Sequence, residues 1–333
     1  MQYASVANPD AGSFLSEWFS EAGRIQVMTS GSTGTPKKIA LQREQMMHSA
    51  RATAAFFDLG PGTRALHCLP MQYIAGKMML VRAMALGWQL YSVVPSTRLD
   101  IPEGITFDFA AMVSLQAYHN LDQLGKMKKL LIGGGELPQD LERSVQNLRT
   151  EVYSSYGMTE TITHIAVRPV NAAAGADGNK AYRALPGVKF HVDERACLVV
   201  DAPAVSEHPV QTNDLVDLLS ETEFHWLGRF DNVINSGGIK LIPEQIERQL
   251  KPLIAQRFFV AAEKHESLGE ALVLVVEGPH QQELLSSLRE ARESGKIDLP
   301  AHALPKKVYF SDQFKETETG KVRRRSTLES IQA

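Results

Sequence analysis

Glycine, hydroxyl and lysine residues crowd together near the start of the sequence, at residues 29–38. The members that could contact a phosphate are Thr29, Ser30, Gly31, Ser32, Thr33, Gly34 and Lys37. Glycines let backbone N–H groups approach a phosphate, hydroxyls donate hydrogen bonds, and lysine adds positive charge. The stretch is not a Walker A loop, because Pro36 stands five positions after Gly31 and no Gly-Lys-Ser/Thr follows. On composition alone, both a phosphate-binding loop and a Ser/Gly linker fit.

Three further segments follow that stretch. They are residues 153–160 (YSSYGMTE), residues 228–247 (opening Gly-Arg-Phe-Asp) and residues 319–324 (TGKVRR). With residues 29–38, they resemble in order the motifs of the acyl-adenylate-forming enzymes, which include acyl- and aryl-CoA synthetases, peptide-synthetase adenylation domains and luciferases. Four motifs in that order across residues 29–324 argue against a chance match and against a linker.

The resemblance implies two half-reactions, in which an acid and ATP form an acyl-adenylate and a thiol then releases AMP. Two anionic reactants need charge neutralisation and positioning. By resemblance, residues 29–38 hold the β and γ phosphates, Thr159 bonds the α-phosphate, and Glu160 ligates Mg²⁺, which prefers carboxylate oxygen. Lys321 bridges the substrate carboxylate and the α-phosphate, where negative charge crowds. We therefore predict ATP, Mg²⁺ and coenzyme A as cofactors, with Thr159, Glu160 and Lys321 as catalytic residues.

The resemblance also implies contacts to the adenosine. Tyr156 is expected to stack on adenine, Asp214 to bind the ribose hydroxyls, and Arg229 to reach the ribose or phosphate. Asn213 departs from the family's usual glycine before that aspartate, although Asn also tolerates left-handed backbone. The glycines at 133–135 fit an adenine-side segment and also a plain strand-to-helix turn. The cofactor-binding residues predicted beyond residue 38 are Gly133, Gly134, Gly135, Glu136, Ser155, Tyr156, Gly157, Asp214, Arg229, Asp231 and Lys240.

Asp231 resembles the hinge about which the C-terminal domain of such enzymes turns between the two half-reactions. The following glycine loop would then line the tunnel for the pantetheine arm of CoA, where missing side chains leave room. Its residues are Ser236, Gly237 and Gly238. A loop of this kind is compatible with a CoA thiol and with a carrier-protein thiol.

Residues 69–77 suggest which acid is used. Gln72 and Tyr73 stand where the family usually has an aromatic–His pair. Arg82 matches the helix position that binds the spectator carboxylate in o-succinylbenzoate–CoA ligases, and a buried cation without such a partner would be costly. A surface arginine on an amphipathic helix is the alternative. The predicted substrate contacts are Tyr73, Lys77, Arg82 and His164, the last of which could equally be structural.

The predicted function is an ATP-dependent acid–CoA ligase, with o-succinylbenzoate of menaquinone biosynthesis as the expected acid. Only 28 residues precede the phosphate loop, as in short ligases of that kind. The alternatives are another aryl- or acyl-CoA ligase, an adenylation domain that loads a carrier protein, and a non-catalytic relic. The survival of Glu160, Asp214, Arg229 and Lys321 argues against the relic.

Composition excludes several other classes. Lys and Arg number 35 and Asp and Glu number 38 in 333 residues, so the net charge is −3. This balance provides no footprint for nucleic acid or an anionic membrane. Two cysteines make a disulfide scaffold an unfavourable hypothesis, and a reducing cytoplasm is expected. The N-terminus lacks a signal-peptide pattern, and no apolar run of about 18 residues occurs. The expected partners are small molecules, with a homodimer as an open alternative.

Strand-like and helical patterns alternate along the first part of the chain. They predict an α/β fold with a mostly parallel sheet in a large domain, residues 1–229, shortened at its N-terminus relative to the family. Residues 186–227 are predicted to form a small β region packed on it, and residues 230–333 a small mobile α+β domain. Helices are expected near 13–22, 42–57, 74–86, 114–124, 138–148, 243–250 and 280–293. Strands are expected at 24–28, 64–69, 89–94, 108–113, 128–132, 151–155, 271–276 and 306–310.

Overall fold

The computed structural model describes residues 11–28, 37–317 and 322–332. In chain order, the α-helices of these residues are α1 (Ala11–Trp18), α2 (Arg43–Phe57), α3 (Ile74–Leu86), α4 (Ser114–His119), α5 (Gln139–Ser144), α6 (Pro243–Leu250), α7 (Leu284–Glu293) and α8 (Arg324–Gln332). The strands are β1 (Arg24–Met28), β2 (Lys38–Gln42), β3 (Arg64–His67), β4 (Gln89–Ser92), β5 (Phe107–Val113), β6 (Met127–Gly133), β7 (Glu151–Gly157), β8 (His164–Pro169), β9 (Tyr182–Ala184), β10 (Lys189–Val192), β11 (Cys197–Asp201), β12 (Val210–Ser220), β13 (Glu223–Arg229), β14 (Ile234–Ser236), β15 (Ile239–Leu241), β16 (Phe258–His265), β17 (Gly269–Glu277) and β18 (Lys307–Ser311).

One half of an eleven-stranded sheet is parallel. Its strands lie in the order β4-β3-β5-β6-β7, and each pairs in parallel with its neighbour. Met46 of α2 and Met78 of α3 are buried in one core, whereas Ala117 of α4 and Leu141 of α5 are buried in another. The parallel strands are thus covered on both faces, which is the arrangement that strand–helix alternation favours.

The other half of the sheet is antiparallel, in the order β7-β8-β9-β13-β12-β11-β10. The expectation of a mostly parallel sheet is wrong for this half. The β region predicted at 186–227 continues the main sheet instead of packing on it. The sheet also curls, as a 2.7 Å hydrogen bond between Tyr156 of β7 and Asp214 of β12 shows. Four strand spacings would separate them by about 19 Å in a flat sheet.

Several elements match the predicted bounds and others differ. The helices predicted at 74–86 and 243–250 have those bounds in α3 and α6. Helix α1 ends at Trp18, and the helix predicted at 114–124 divides into α4 and a 3₁₀ segment, Leu121–Lys126. Strands β2, β8 and β16 were not predicted, and the C-terminal basic segment includes helix α8.

A second, five-stranded sheet lies in the C-terminal part of the chain, in the order β15-β14-β17-β16 with β18 beside β17. Strand β17 is buried on both faces: Leu272 and Leu274 face one core, and Val273 and Val275 face another. This alternation follows from the two-residue period of a strand. The sheet begins at Ile234, near the predicted boundary at residue 230, which itself stays a prediction. Among the described helices, none is long and apolar enough to cross a membrane.

Candidate active site

The glycine segment and the YGMTE segment lie at one edge of the parallel half-sheet. Strand β6 ends at Gly133 and β7 ends at Gly157, and the two strands are parallel neighbours. The carboxyl ends of parallel strands are the usual ligand-binding edge of an α/β sheet. A Cβ at Gly133 would lie 2.7 Å from Oγ of Ser155, and a Cβ at Gly157 would lie 2.2 Å from the carbonyl oxygen of Thr163. Close approach therefore explains both glycines.

Asp214 is the centre of a hydrogen-bonded group of polar side chains. The Tyr156 hydroxyl donates to its Oδ2 at 2.7 Å, and Trp226 Nε1 donates to its Oδ1 at 3.1 Å. Arg229 Nη1 lies 3.4 Å from Oδ1. Burial, followed by the charge of Asp214, raises the pKa of Tyr156 well above its usual value. A carboxylate accepts about four hydrogen bonds, so these three donors leave room for one donor such as a ribose hydroxyl.

Arg229 joins Asp214 to the predicted hinge residue. Its Nη2 donates to Oδ2 of Asp231 at 2.9 Å, while its Nη1 faces Asp214. Asn213 Nδ2 also reaches both oxygens of Asp231, at 3.1 and 3.2 Å. Asn213 does not have a positive φ, so the left-handed backbone that its residue type permits is not used. Its side chain instead contacts the hinge carboxylate, whose own side chain is exposed to solvent.

Glu136 contacts the C-terminal part of the chain. Its Oε1 lies 3.0 Å from Nε of Arg248 in α6, and the same guanidinium donates to the carbonyl oxygens of Trp226 and Leu227. Lys251 and Asp140 form a second pair, at 3.7 Å. Helix α6 thus packs against the edge of the large sheet that carries the glycine segment.

The turn after YGMTE has a strained backbone. Ile162 has φ 66° and ψ −68°, and Thr163 N donates to Thr161 O at 2.8 Å, which closes a γ-turn with a positive φ. That conformation is rare and costs about 1–3 kcal/mol for a residue other than glycine. The turn sets Thr159 and the exposed Glu160 at one end and Thr163 at the other. It therefore connects the predicted phosphate contacts to the residues around Arg82.

Arg82 is buried among hydroxyl groups. Its Nε donates to Thr53 Oγ1 at 3.3 Å, its Nη2 to Thr163 Oγ1 at 3.2 Å, and its Nη1 to the Met79 sulfur at 3.7 Å. Arg82 is 2% exposed, and no carboxylate of the described residues lies within 4 Å of its guanidinium. Burial lowers the pKa of Arg82 to about 10, which leaves it cationic at neutral pH. The alternative of a surface arginine is wrong.

His164 lies beside this cation. Its Nε2 is 3.4 Å from Thr53 Oγ1, and Ser49 Oγ is 3.2 Å from Thr163 Oγ1. Burial, followed by the charge of Arg82, lowers the pKa of His164 well below its usual value, so the ring is neutral. Ser49 and His164 also line a cavity of about 260 Å³, whose other walls include Leu185 and Val205. The cavity is largely apolar and could hold the carbon skeleton of an acid.

Tyr73 and Lys77 lie apart from Arg82. Lys77 Nζ donates to the carbonyl oxygen of Gln26 at 3.2 Å and lies 5.5 Å above the Phe14 ring. Five residues of helix separate Lys77 from Arg82 by about 140° around the axis, so the two cations point to different neighbours. Tyr73 is half-buried at the N-cap of α3. Lys77 therefore contacts the N-terminal elements in this structure.

The predicted CoA loop is a tight hairpin. Ser236 pairs with Ile239, and the two residues between them, Gly237 and Gly238, have φ 57° and 82°. Two positive φ values are those of a type I′ turn, which favours glycine. Lys240 is exposed on the neighbouring strand β15. The hairpin geometry gives these glycines a backbone reason in addition to the space that a pantetheine arm would need.

Several predicted residues lie outside the described part of the chain. They are Thr29, Ser30, Gly31, Ser32, Thr33, Gly34 and Lys321. Lys37 is described and is exposed immediately before β2. Within the described ranges, no three His, Cys, Asp or Glu side chains are grouped as a metal cage. Mg²⁺ commonly binds through one or two carboxylates plus substrate phosphates, and the exposed Glu160 suits that mode.

Four polar residues of this region were not predicted from the sequence. They are Ser49, Thr53, Thr163 and Trp226. A single hydroxyl residue on a helix belongs to no recognisable motif. Ser49, Thr53 and Thr163 come near Arg82 only because α2 packs against α3 and because the chain turns at Ile162. Trp226 could have been suspected, because it lies two residues before the Gly-Arg-Phe-Asp segment and an indole N–H must donate when buried.

Comparisons with known proteins agree with this geometry. The family model for AMP-binding enzymes matches residues 26–203. An acyl-CoA synthetase (AMP-forming)/AMP-acid ligase II-like protein from Dyadobacter fermentans is 38% identical, covers 99% of this chain and 96% of its own, and superposes with a TM-score of 0.64. The chain therefore belongs to the AMP-binding enzymes. It is an ATP-dependent acid–CoA ligase of that family.

Two further relatives are more distant. A 2-succinylbenzoate–CoA ligase of Bacillus cereus is 26% identical over 99% of this chain and 75% of its own length. O-succinylbenzoate coenzyme A synthetase from Bacillus subtilis, solved in complex with ATP and magnesium ion, has a TM-score of 0.76 at 21% identity over 91% of this chain and 69% of its own. The second likeness shows the fold alone.

Proposed function

We propose that this ligase activates o-succinylbenzoate with ATP and transfers the acyl group to coenzyme A. The observation that carries the proposal is Arg82, a buried guanidinium with no carboxylate partner in the described part of the chain. A buried charge is costly unless it is paired. A substrate with a second carboxylate would supply the missing partner.

The surroundings of Arg82 support an anion as that partner. Thr53 and Thr163 accept from the guanidinium and orient it, and the Thr163 hydroxyl can also donate to a carboxylate. The neutral ring of His164 adds no second positive charge beside Arg82. The apolar cavity lined by Ser49 and His164 suits an aromatic ring. The aromatic carboxylate of o-succinylbenzoate is not activated, so it would stay anionic and could pair with Arg82.

The nucleotide side has a different task. Asp214 would accept a ribose hydroxyl at its remaining lone pair, and Tyr156 would present its ring to the adenine. Glu160 would ligate Mg²⁺ with the ATP phosphates, and the metal would neutralise charge as pyrophosphate departs. Thr159 would bond the α-phosphate. Lys321 and the loop at 29–38 are assigned to the phosphates by sequence resemblance alone.

Thioester formation would require a second orientation of residues 230–333. Asp231 is bonded to Arg229 and Asn213 in the orientation described. A rotation at this residue would present the hairpin at Gly237 and Gly238 to the thiol. The relatives named as CoA ligases favour coenzyme A as acceptor over a carrier protein.

The test is pyrophosphate release by the purified protein with ATP and a panel of acids. We expect o-succinylbenzoate to have the highest specificity constant. 4-Oxo-4-phenylbutanoate, which has the same skeleton without the ring carboxylate, should react much more slowly. Equal turnover of the two acids would remove the assigned role of Arg82. Turnover of a different acid alone would return the chain to the wider class of aryl- and acyl-CoA ligases.

A further inference from the structure

Three charged residues form a partly buried cluster away from the predicted nucleotide and acid contacts. Arg324 Nη1 and Nη2 donate to the two carboxylate oxygens of Glu247, at 2.5 and 2.9 Å. Glu244 Oε1 lies 3.6 Å from the same guanidinium. Glu244 is 3% exposed, whereas the side chains of Arg324 and Glu247 are 24% and 18% exposed, so one cation faces two carboxylates in a partly desolvated place. Such a cluster is costly to build and gives weak evidence for stability alone.

Arg324 lies at the C-terminal end of the lysine segment, by which we mean residues 315–323, which include Lys321. It is the first residue of α8, three positions after Lys321. Just before it, Val322 bridges to Glu316, and Arg323 N donates to the carbonyl oxygen of Lys315 at 2.7 Å. The Arg324 guanidinium also donates to the carbonyl oxygen of Val260 in β16. The Arg324 side chain therefore links the start of α8 to both α6 and β16.

Glu244 connects α6 to the predicted hinge. Asn232 Nδ2 donates to its Oε1 at 2.6 Å. Its Oε2 is buried and has no hydrogen-bond partner in the described part of the chain. A Cβ at Gly228 would lie 2.4 Å from this oxygen. The first turn of α6 thus packs directly on the backbone that leads into Asp231, and only glycine allows that approach.

The bidentate pair is directional. Two parallel N–H···O bonds fix the plane of a guanidinium, which a single ammonium contact would not do. Burial raises the pKa of Glu247, although the charge of Arg324 opposes this. Glu247 also accepts a hydrogen bond from Val260 N at 2.7 Å. Its carboxylate is thus held on two sides, which makes it a rigid support for Arg324.

We propose that Arg324, with Glu247 and Glu244, is a positioning residue for adenylation. The cluster joins the predicted hinge, α6 and residues 322–324, so that a rotation at Asp231 would carry these elements together. The inference rests on the rotation proposed above. It requires that loss of Arg324 weaken the half-reaction that uses Lys321 much more than the other half-reaction.

The experiment compares Arg324→Met with Arg325→Met. Arg325 is the next residue, exposed and paired only with Glu329 one turn along α8 among the described residues. We expect Arg324→Met to slow acyl-adenylate formation about tenfold or more. Thioester formation from supplied acyl-adenylate should stay within about threefold of the wild type, because misplacing a group affects only the step that uses it. Arg325→Met should change neither rate. Equal losses in both half-reactions, or no loss, would overturn the proposal.

Two further measurements keep the test decisive. If Arg324→Met does not fold, Arg324→Lys retains the charge without the fork and should show the same imbalance, reduced in size. Amide hydrogen exchange over residues 315–323 should rise in either Arg324 variant and not in Arg325→Met. That readout needs no substrate, so it separates a wrong acid or a wrong rotation from a wrong role for Arg324. Unchanged exchange would contradict the anchoring.

Discussion

The residues predicted to bind the nucleotide and those predicted to bind the acid differ in how their charged groups are paired. Around Asp214 the protein supplies its own partners, since Tyr156, Trp226 and Arg229 all contact that carboxylate. Around Arg82 the described residues supply only hydroxyls, a sulfur and a neutral imidazole. A carboxylate that already accepts hydrogen bonds from the protein, such as that of Asp214, can accept a further one from a ligand. A site with an unmatched buried cation selects for an anion. Under the proposed function, specificity for the acid depends on the carboxylate partner that the described residues do not provide for Arg82.

The largest expected effect is at the link between the nucleotide side and the hinge. Asp231→Pro fixes φ, and Asp231→Ala loses the same bonds to Arg229 and Asn213 while φ stays free. We expect the proline variant to lose thioester formation from supplied acyl-adenylate by about a hundredfold, because rotation is blocked. Adenylation should persist in both variants, measured by pyrophosphate release. If the two variants behave alike, the side-chain bonds matter and the rotation does not.

A smaller effect is expected from a substitution at Asp214, whose carboxylate has its partners within the protein. Asp214→Asn keeps the shape but removes the negative charge, so Tyr156, Trp226 and Arg229 lose their carboxylate acceptor. We expect the KM for ATP to rise about tenfold with the KM for the acid unchanged. Spectrophotometric titration should show the pKa of Tyr156 falling towards its usual value. Asp217→Asn, on the same strand and exposed, is the control, and a similar rise there would contradict the assignment.

The smallest effect concerns the pH dependence of the unfolding free energy, to which His164 beside Arg82 contributes. The pKa of His164 is lowered in the folded chain. In the unfolded chain the His164 ring therefore takes up a proton near pH 6.5, and in the folded chain it does so only at lower pH. This contribution to stability is present above about pH 6.5 and is lost as the pH falls, by up to about 1.4 kcal/mol per pH unit. His164→Gln should flatten the fall of unfolding free energy between pH 7 and 5, measured by denaturant titration. His302→Gln, at an exposed position, should not. An unchanged slope in His164→Gln would show that the ring is protonated when folded.

The sequence predicted the parallel half of the fold well and the antiparallel half poorly. Helix α3 has its predicted bounds, and strand β5 of the parallel half begins one residue before its predicted start. Strands β8 and β9 were missed because they have only six and three residues, and strand preference depends on the packing of neighbouring strands more than on the residues themselves. The curl that brings Tyr156 to Asp214 has no local signal at all.

Site residues were predictable where a motif carries them. Asp214 and Arg229, both found from motifs, lie 3.4 Å apart, and their contacts to the nucleotide stay predictions. Thr53 and Ser49 could not be found, because a hydroxyl on a helix becomes informative only when packing sets it beside a cation. The positive φ of Ile162 was equally hidden, since its residue type disfavours that backbone.

The most direct test of the account is the coupling between Arg82 and the ring carboxylate. The specificity constants for o-succinylbenzoate and 4-oxo-4-phenylbutanoate should be measured in the wild type and in Arg82→Met. We expect the value for o-succinylbenzoate to fall about thirtyfold or more, as loss of one member of a buried charge pair requires, with the KM for ATP little changed. The value for the acid without the ring carboxylate should fall much less. Equal losses for both acids would show that Arg82 supports the fold and does not select the substrate.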